Sequence, residues 1–128
     1  MKSKIDLVKA WLKKAENDLS AAENSIEAKL YDIASFHAQQ CAEKYLKAFL
    51  TYHEVEFEKT HAIEDLLLLA SQMDADFSEM IEEGKKLTPY AVEVRYPLLI
   101  QEPSEEETKE LLRIAIKIKE LPLGEKDD

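Results

Sequence analysis

Glycine is nearly missing from this chain: Gly84 and Gly124 are the only two in 128 residues. Loops that cradle phosphate, and the glycine-rich turns that admit dinucleotides, need several glycines to bring backbone N–H groups close to the ligand. Both are excluded. Cysteine is reduced to Cys41, so no internal disulfide can form, and the residue reads as a small buried hydrophobe in a protein of a reducing compartment. Long apolar runs are absent too, and Lys9, Lys13 and Lys14 interrupt the N-terminal stretch, which reads as neither a signal peptide nor a membrane span. A cytoplasmic protein is expected. No internal repeat, low-complexity tract or continuous strand pattern is visible, and the segment from Glu54 to Lys59, though it alternates apolar and acidic residues, is too short and partnerless to be more than a loop.

Positive charge is also short, with 17 basic against 27 acidic residues for a net charge of −10. Residues 1–60 hold 9 basic and 10 acidic side chains, whereas 61–128 hold 8 and 17, so the excess is C-terminal. Such a balance argues against tight, sequence-independent binding along a phosphate backbone, which relies on several cations releasing counterions. A local basic patch for one nucleotide remains compatible with it.

What is present is helical periodicity. Val8, Trp11, Leu12, Ala15, Leu19, Ala22 and Ile26 step by three or four, predicting an amphipathic helix from about Ile5 to Ala28 with Trp11 anchoring its packing. A short turn at Lys29 and Leu30 then implies an antiparallel hairpin with a second helix from Tyr31 to Tyr52. Thr60 or His61 is expected to cap a third helix whose buried face is Ile63, Leu66, Leu67, Ala70 and Met73. A fourth segment buries Phe77, Met80, Ile81 and Leu87, and Thr88 with Pro89 starts a further helical turn reaching Arg95. Ser104 to Glu107 matches a capping box, followed by Leu111, Leu112, Ala115, Ile118 and Leu121 along a last helix. The expected architecture is an all-α, up-down antiparallel bundle of four to five helices, one domain over residues 1–122 with a frayed acidic tail at 123–128.

The second helix carries the most specific signal. Ala34, Ala38, Cys41, Tyr45, Ala48, Phe49 and Tyr52 share one face, while Gln40, Glu43, Lys44 and Lys47 project from the other. Lys47 alone reads as part of a solvated lysine edge, Lys44 as a partly buried partner of Asp18, and His37 as a hydrogen-bonded histidine bordering the core. The competing reading is functional: His37, Gln40, Lys44 and Lys47 lie within one arc, where an anionic ligand or partner carboxylate could meet several of them.

The run from Phe36 to Leu50, FHAQQCAEKYLKAFL, resembles the second helix of the HEPN domain family. Thr60-His61 opening a leucine-rich helix, and Arg95-Tyr96-Pro97, are further matches, so the resemblance spans nearly the whole chain. It implies an all-helical homodimer. Ribonuclease members carry an Arg and a His with four to six residues between them; here the positions for that His hold Ile100, Gln101 and Glu102. Taking a proton from a ribose hydroxyl needs a base, and arginine can only stabilise the phosphorane. The resemblance is to the branch encoded beside a minimal nucleotidyltransferase, whose members often lack that His.

The implied function is that of a helical partner for such a nucleotidyltransferase, of toxin–antitoxin or stress-response type, binding nucleotide or RNA at a cleft with Arg95 and Tyr96 and without cleaving it. His61 joins His37, Gln40, Lys44 and Lys47 as a candidate ligand residue. An ion pair of Arg95 with Glu93 is the plain alternative. A metal-independent ribonuclease, with His37 or His61 brought near Arg95, and a purely structural interaction module are the rival readings. No cofactor is implied: Glu58 and His61 have the spacing of half a di-iron motif, but the second half is missing, and no serine or cysteine sits as an activated nucleophile. Tyr45, Tyr52, Phe57, Tyr90 and Tyr96 are the expected aromatic surface for dimerisation.

Overall fold

The computed structural model describes residues 3–92 and 102–124. Arg95, Tyr96, Pro97, Ile100 and Gln101, and the tail from residue 125, lie outside the described residues.

Helix α1 covers Lys4–Glu27. Ser3 caps it with a reciprocal capping box, its Oγ accepting the Asp6 N–H at 3.1 Å while Asp6 accepts the Ser3 N–H at 3.3 Å. Val8, Ala15, Asp18 and Ala22 are buried, a seam of small residues with one acid in it. The helix stops where Lys29 turns left-handed at φ 62°, which lets Leu30 N–H reach back to the Ser25 carbonyl at 2.8 Å. Glycine normally takes that position, because it has no Cβ to crowd the following carbonyl. With glycine so scarce, a lysine occupies it.

Helix α2, Tyr31–Tyr52, runs antiparallel to α1 and is the axle of the domain: α1, α3 and α5 all pack on it. Thirteen of its 22 residues are buried, so it has no solvated long face. This corrects the expected polar edge of Gln40, Glu43, Lys44 and Lys47: Glu43 and Lys47 are buried, with Gln39, among the apolar residues, and Gln40 and Lys44 are half-buried. It ends as α1 does, with Glu54 left-handed at φ 58° and Val55 N–H bonded to the Leu50 carbonyl at 2.9 Å.

Helix α3 covers Ile63–Ser71. Ile63, Leu66, Leu67 and Ala70 are buried as the periodicity requires, but Met73 lies past the helix end and is exposed. Neither Thr60 nor His61 is the cap: the N-cap is Ala62, Thr60 Oγ1 takes only the Ala62 N–H at 3.1 Å, and the Ile63 N–H goes to Thr88 Oγ1 at 2.9 Å. Thr88 also donates to Glu64 Oε1 at 2.6 Å, so a residue 25 positions away finishes the helix start.

The fourth segment is a 3-10 turn, Ala75–Met80, running into the one-turn α4, Ile81–Gly84, with a second 3-10 turn at Thr88–Tyr90. Gly84 is buried against α3, where a Cβ would sit 2.5 Å from Leu67 Cδ1. Helix α5, Glu105–Lys119, starts with the expected capping box at Ser104 and Glu107. Three glutamates in its first turn and two lysines in its last both oppose the helix dipole. Its core face adds Ile114 to Leu111, Ala115 and Ile118, with Leu112 and Leu121 only half-buried.

The chain after α5 returns to α2: the Tyr45 hydroxyl donates to the Leu121 carbonyl, and His53 Nε2 lies 2.9 Å from the Leu123 carbonyl. Leu123 therefore still belongs to the packed body, one residue beyond the expected boundary. Tyr45 is buried, which removes it from the expected aromatic surface; Tyr52, Phe57 and Tyr90 are half-buried. Among the described residues there is no strand, and no helix is long and apolar enough to cross a membrane.

Candidate functional site

Two buried carboxylates organise the polar side chains of α2, and each does so in the same way. Asp18 of α1 receives Lys44 Nζ on Oδ2 at 2.6 Å and His37 Nδ1 on Oδ1 at 2.8 Å. Glu43 of α2 receives Lys47 Nζ on Oε2 at 2.8 Å and His61 Nδ1 on Oε1 at 2.9 Å. Every contact is within hydrogen-bonding range, and each carboxylate spends one oxygen on a lysine and the other on a histidine. Gln39 completes the second group, donating to Glu43 Oε1 at 3.0 Å and to the His61 carbonyl at 2.9 Å, and it accepts from Gln40 at 2.6 Å.

Packing explains why the two groups form. Asp18 occupies a seam position of α1 between Ala15 and Ala22, where an apolar side chain would otherwise face α2. A charge there needs partners, and Lys44 and His37 supply them. Gln39, Glu43 and Lys47 stack one turn apart along α2, and the loop bringing Phe57 and His61 covers them. Lys47 Nζ lies 5.6 Å from the Trp11 ring centre and 6.0 Å from that of Phe57, so its charge is enclosed by aromatic faces as well as by Glu43. Among the described residues, no buried side-chain nitrogen or oxygen lacks a hydrogen-bond partner.

The electrostatics follow from this geometry. Burial pushes the Glu43 carboxyl up, but hydrogen bonds from Lys47, Gln39 and His61 outweigh it and hold the group below the usual carboxylate range. With neutral imidazoles the two lysines balance the two carboxylates, so the assembly offers polar atoms and no net charge. Because a carboxylate can only accept, Nδ1 of both His37 and His61 carries the proton in the neutral ring. Each Nε2 is then a hydrogen-bond acceptor. The His61 side chain is 63% exposed and that of His37 23%, so it is His61 that presents this nitrogen openly to solvent.

Five of the seven candidate ligand residues thus belong to this assembly: His37 and Lys44 through Asp18, Lys47 and His61 through Glu43, and Gln40 through Gln39. Arg95 and Tyr96 lie outside the described residues. The expected Asp18–Lys44 pair is present. Lys47 is not on a solvated edge: its side chain is 10% exposed, and its ion pair is the more enclosed of the two. Glu43 and Gln39 carry the second group, and sequence reasoning did not select them. The available signal was three polar side chains, Gln39, Glu43 and Lys47, at four-residue spacing along the helix. Cys41, buried in the core, is inert, with burial pushing its thiol up to about 12.

Comparison with known proteins gives the class. A family model of the HEPN domain matches residues 8–126, nearly the whole chain, and the chain belongs to the HEPN domain family. The fold is similar to the crystal structure of an archaeal HEPN homologue, with 30% sequence identity, 93% of each chain covered and a TM-score of 0.70. No curated protein matches the chain.

Proposed function

We propose that this HEPN domain is the helical partner of a separately encoded nucleotidyltransferase, works as a cytoplasmic homodimer, and binds a nucleotide or an RNA end without cleaving it. The role belongs to a toxin–antitoxin or stress-response pair. We assign Arg95 and Tyr96 to the phosphate end of the ligand and the polar groups of His37, Gln40, Lys44, Lys47 and His61 to the rest, with Lys44 and Lys47 holding Asp18 and Glu43 in place.

The observation that carries this reading is the pairing of both α2 lysines with buried carboxylates. Lys44 and Lys47 are bonded to Asp18 and Glu43 at 2.6 and 2.8 Å, so neither is an uncompensated cation for a developing phosphorane. The sequence also has no histidine at positions 100–102, where a gap of four to six residues after Arg95 would place it. Hydrogen-bonding groups without a free cation beside them suit recognition better than scission.

Calorimetric titration with AMP and ATP tests it. Binding is expected, and Arg95→Ala should weaken it about tenfold or more, the usual effect of removing charge-assisted hydrogen bonds. Labelled RNA incubated in EDTA should stay intact. Cleavage that survives EDTA and disappears in Arg95→Ala would establish a ribonuclease instead, and salt-sensitive capture of the nucleotidyltransferase with no nucleotide affinity would establish a structural module.

A further inference from the structure

The cost of burying Glu43 and Lys47 side by side has no obvious return in stability, because apolar side chains of the same volume hold a helix core at least as well. What the pair does instead is fix a histidine that the core does not need. Glu43 is 3% exposed, fully hydrogen-bonded and built on the most enclosed helix of the domain, whereas the ring it holds is 63% exposed on the loop before α3. Gln39 adds a second restraint through the His61 carbonyl at 2.9 Å, so both the ring and the backbone of that residue are tied to α2. This is the arrangement in which an imidazole is oriented through Nδ1 so that Nε2 can meet something else.

Building on the nucleotide reading above, we infer that Glu43 is a positioning residue and that His61 Nε2 accepts a hydrogen bond from a ribose hydroxyl of the bound nucleotide. The chemistry selects the partner. A neutral Nε2 with its lone pair outward needs a donor, and phosphate oxygens of a nucleotide are acceptors, so the phosphate is the wrong end. The donors on a nucleotide are its sugar hydroxyls and, on the base, an exocyclic amine or a ring N–H. The sugar hydroxyls are the donors common to every ribonucleotide, and reading the 2′-hydroxyl would separate ribose from deoxyribose without reference to base. Charged readers of phosphate are not available here, since both lysines are committed to carboxylates.

Two measurements on the full chain test this. Long-range proton–nitrogen NMR reads the tautomer directly: His61 should carry its proton on Nδ1 in the wild type and lose that preference when Glu43→Leu and Lys47→Met replace the buried pair together, a change chosen because it leaves no unpaired charge. A ring with its proton on Nε2 in the folded wild type overturns the inference outright. Binding is then compared for AMP, 2′-deoxy-AMP, 3′-deoxy-AMP and IMP. Loss of one hydroxyl should weaken binding about two- to tenfold, the usual span for one neutral hydrogen bond, while IMP should bind like AMP. His61→Phe should abolish the discrimination, and His61→Gln, whose amide oxygen falls near the Nε2 position, should restore part of it. Equal binding of AMP and both deoxy analogues sinks the hydroxyl contact but leaves nucleotide binding intact, and a preference against IMP alone transfers the contact to the base amine. Failure of all four to bind removes the nucleotide reading itself, and the inference with it.

Discussion

Lys47 Nζ lies 2.8 Å from Glu43 Oε2, one helical turn away on α2, with the two side chains only 10% and 4% exposed. An exposed pair at this spacing contributes a few tenths of a kcal/mol. Enclosure changes the arithmetic, because neither charge can return to water when the other is removed.

Glu43→Ala should therefore destabilise the domain by about 3–5 kcal/mol, since it strands the Lys47 ammonium among Trp11 and Phe57. Replacing both partners, Glu43→Leu with Lys47→Met, should come out close to the wild type or above it. Urea unfolding midpoints decide the matter, and an alanine variant within about 1 kcal/mol of the wild type would mean that the pair is effectively solvated.

Acid should expose the same pair. The Glu43 carboxyl is lowered in the folded protein from its ordinary value of 4.5, so the folded state holds fewer protons there than the unfolded chain. Its contribution is complete above 4.5 and disappears as pH falls through the lower folded value. The stability difference between the wild type and the Leu/Met double variant should stay level above that point and drift against the wild type on acidification. A drift in the opposite direction would show that burial, rather than the hydrogen bonds, governs this carboxyl.

Cys41 should behave as a silent thiol. Burial raises it from 9.0 to about 12, so at pH 8 the native protein should not react with a disulfide reagent, and one equivalent should appear on denaturation. The sign is opposite to that of Glu43: the folded state holds the proton more tightly, so the contribution is complete below 9 and is lost as pH rises toward 12. Alkaline melting curves of the wild type and Cys41→Ala should converge over that range.

Lys29→Gly should stabilise. The left-handed backbone at φ 62° costs a non-glycine residue about 1–2 kcal/mol, while glycine's greater freedom in the unfolded chain returns part of that. A net gain of roughly 0.5–1 kcal/mol is expected, read as a small rise in Tm. A loss would mean that the lysine side chain makes a contact worth more than the strain.

Much of the fold was legible because its signals are local. The bounds of α2 at Tyr31 and Tyr52, the box at Ser104, and the buried stripe of α3 are set by residues within a turn or two of each other. Expectations failed where a distant segment intervened. Thr88 arrives from 25 residues away to cap α3, the loop with Phe57 and His61 closes over Glu43 and Lys47, and the chain after α5 buries Tyr45. At the candidate site the types of residue were readable, and so was the Asp18–Lys44 pair, because an acid in an apolar seam calls for a cation opposite. Glu43 was not, since its spacing to Lys47 is the commonest surface pattern on any helix.

The sequence by itself determined that this chain is a helical HEPN domain, with these helices in this order, because periodicity and capping act between near neighbours and a family motif is a linear string. Only the tertiary structure decided which charges are free. Whether a lysine meets solvent or a buried carboxylate depends on what the rest of the chain lays across its helix, and that covering makes Lys44 and Lys47 structural cations while leaving His61 turned to solvent.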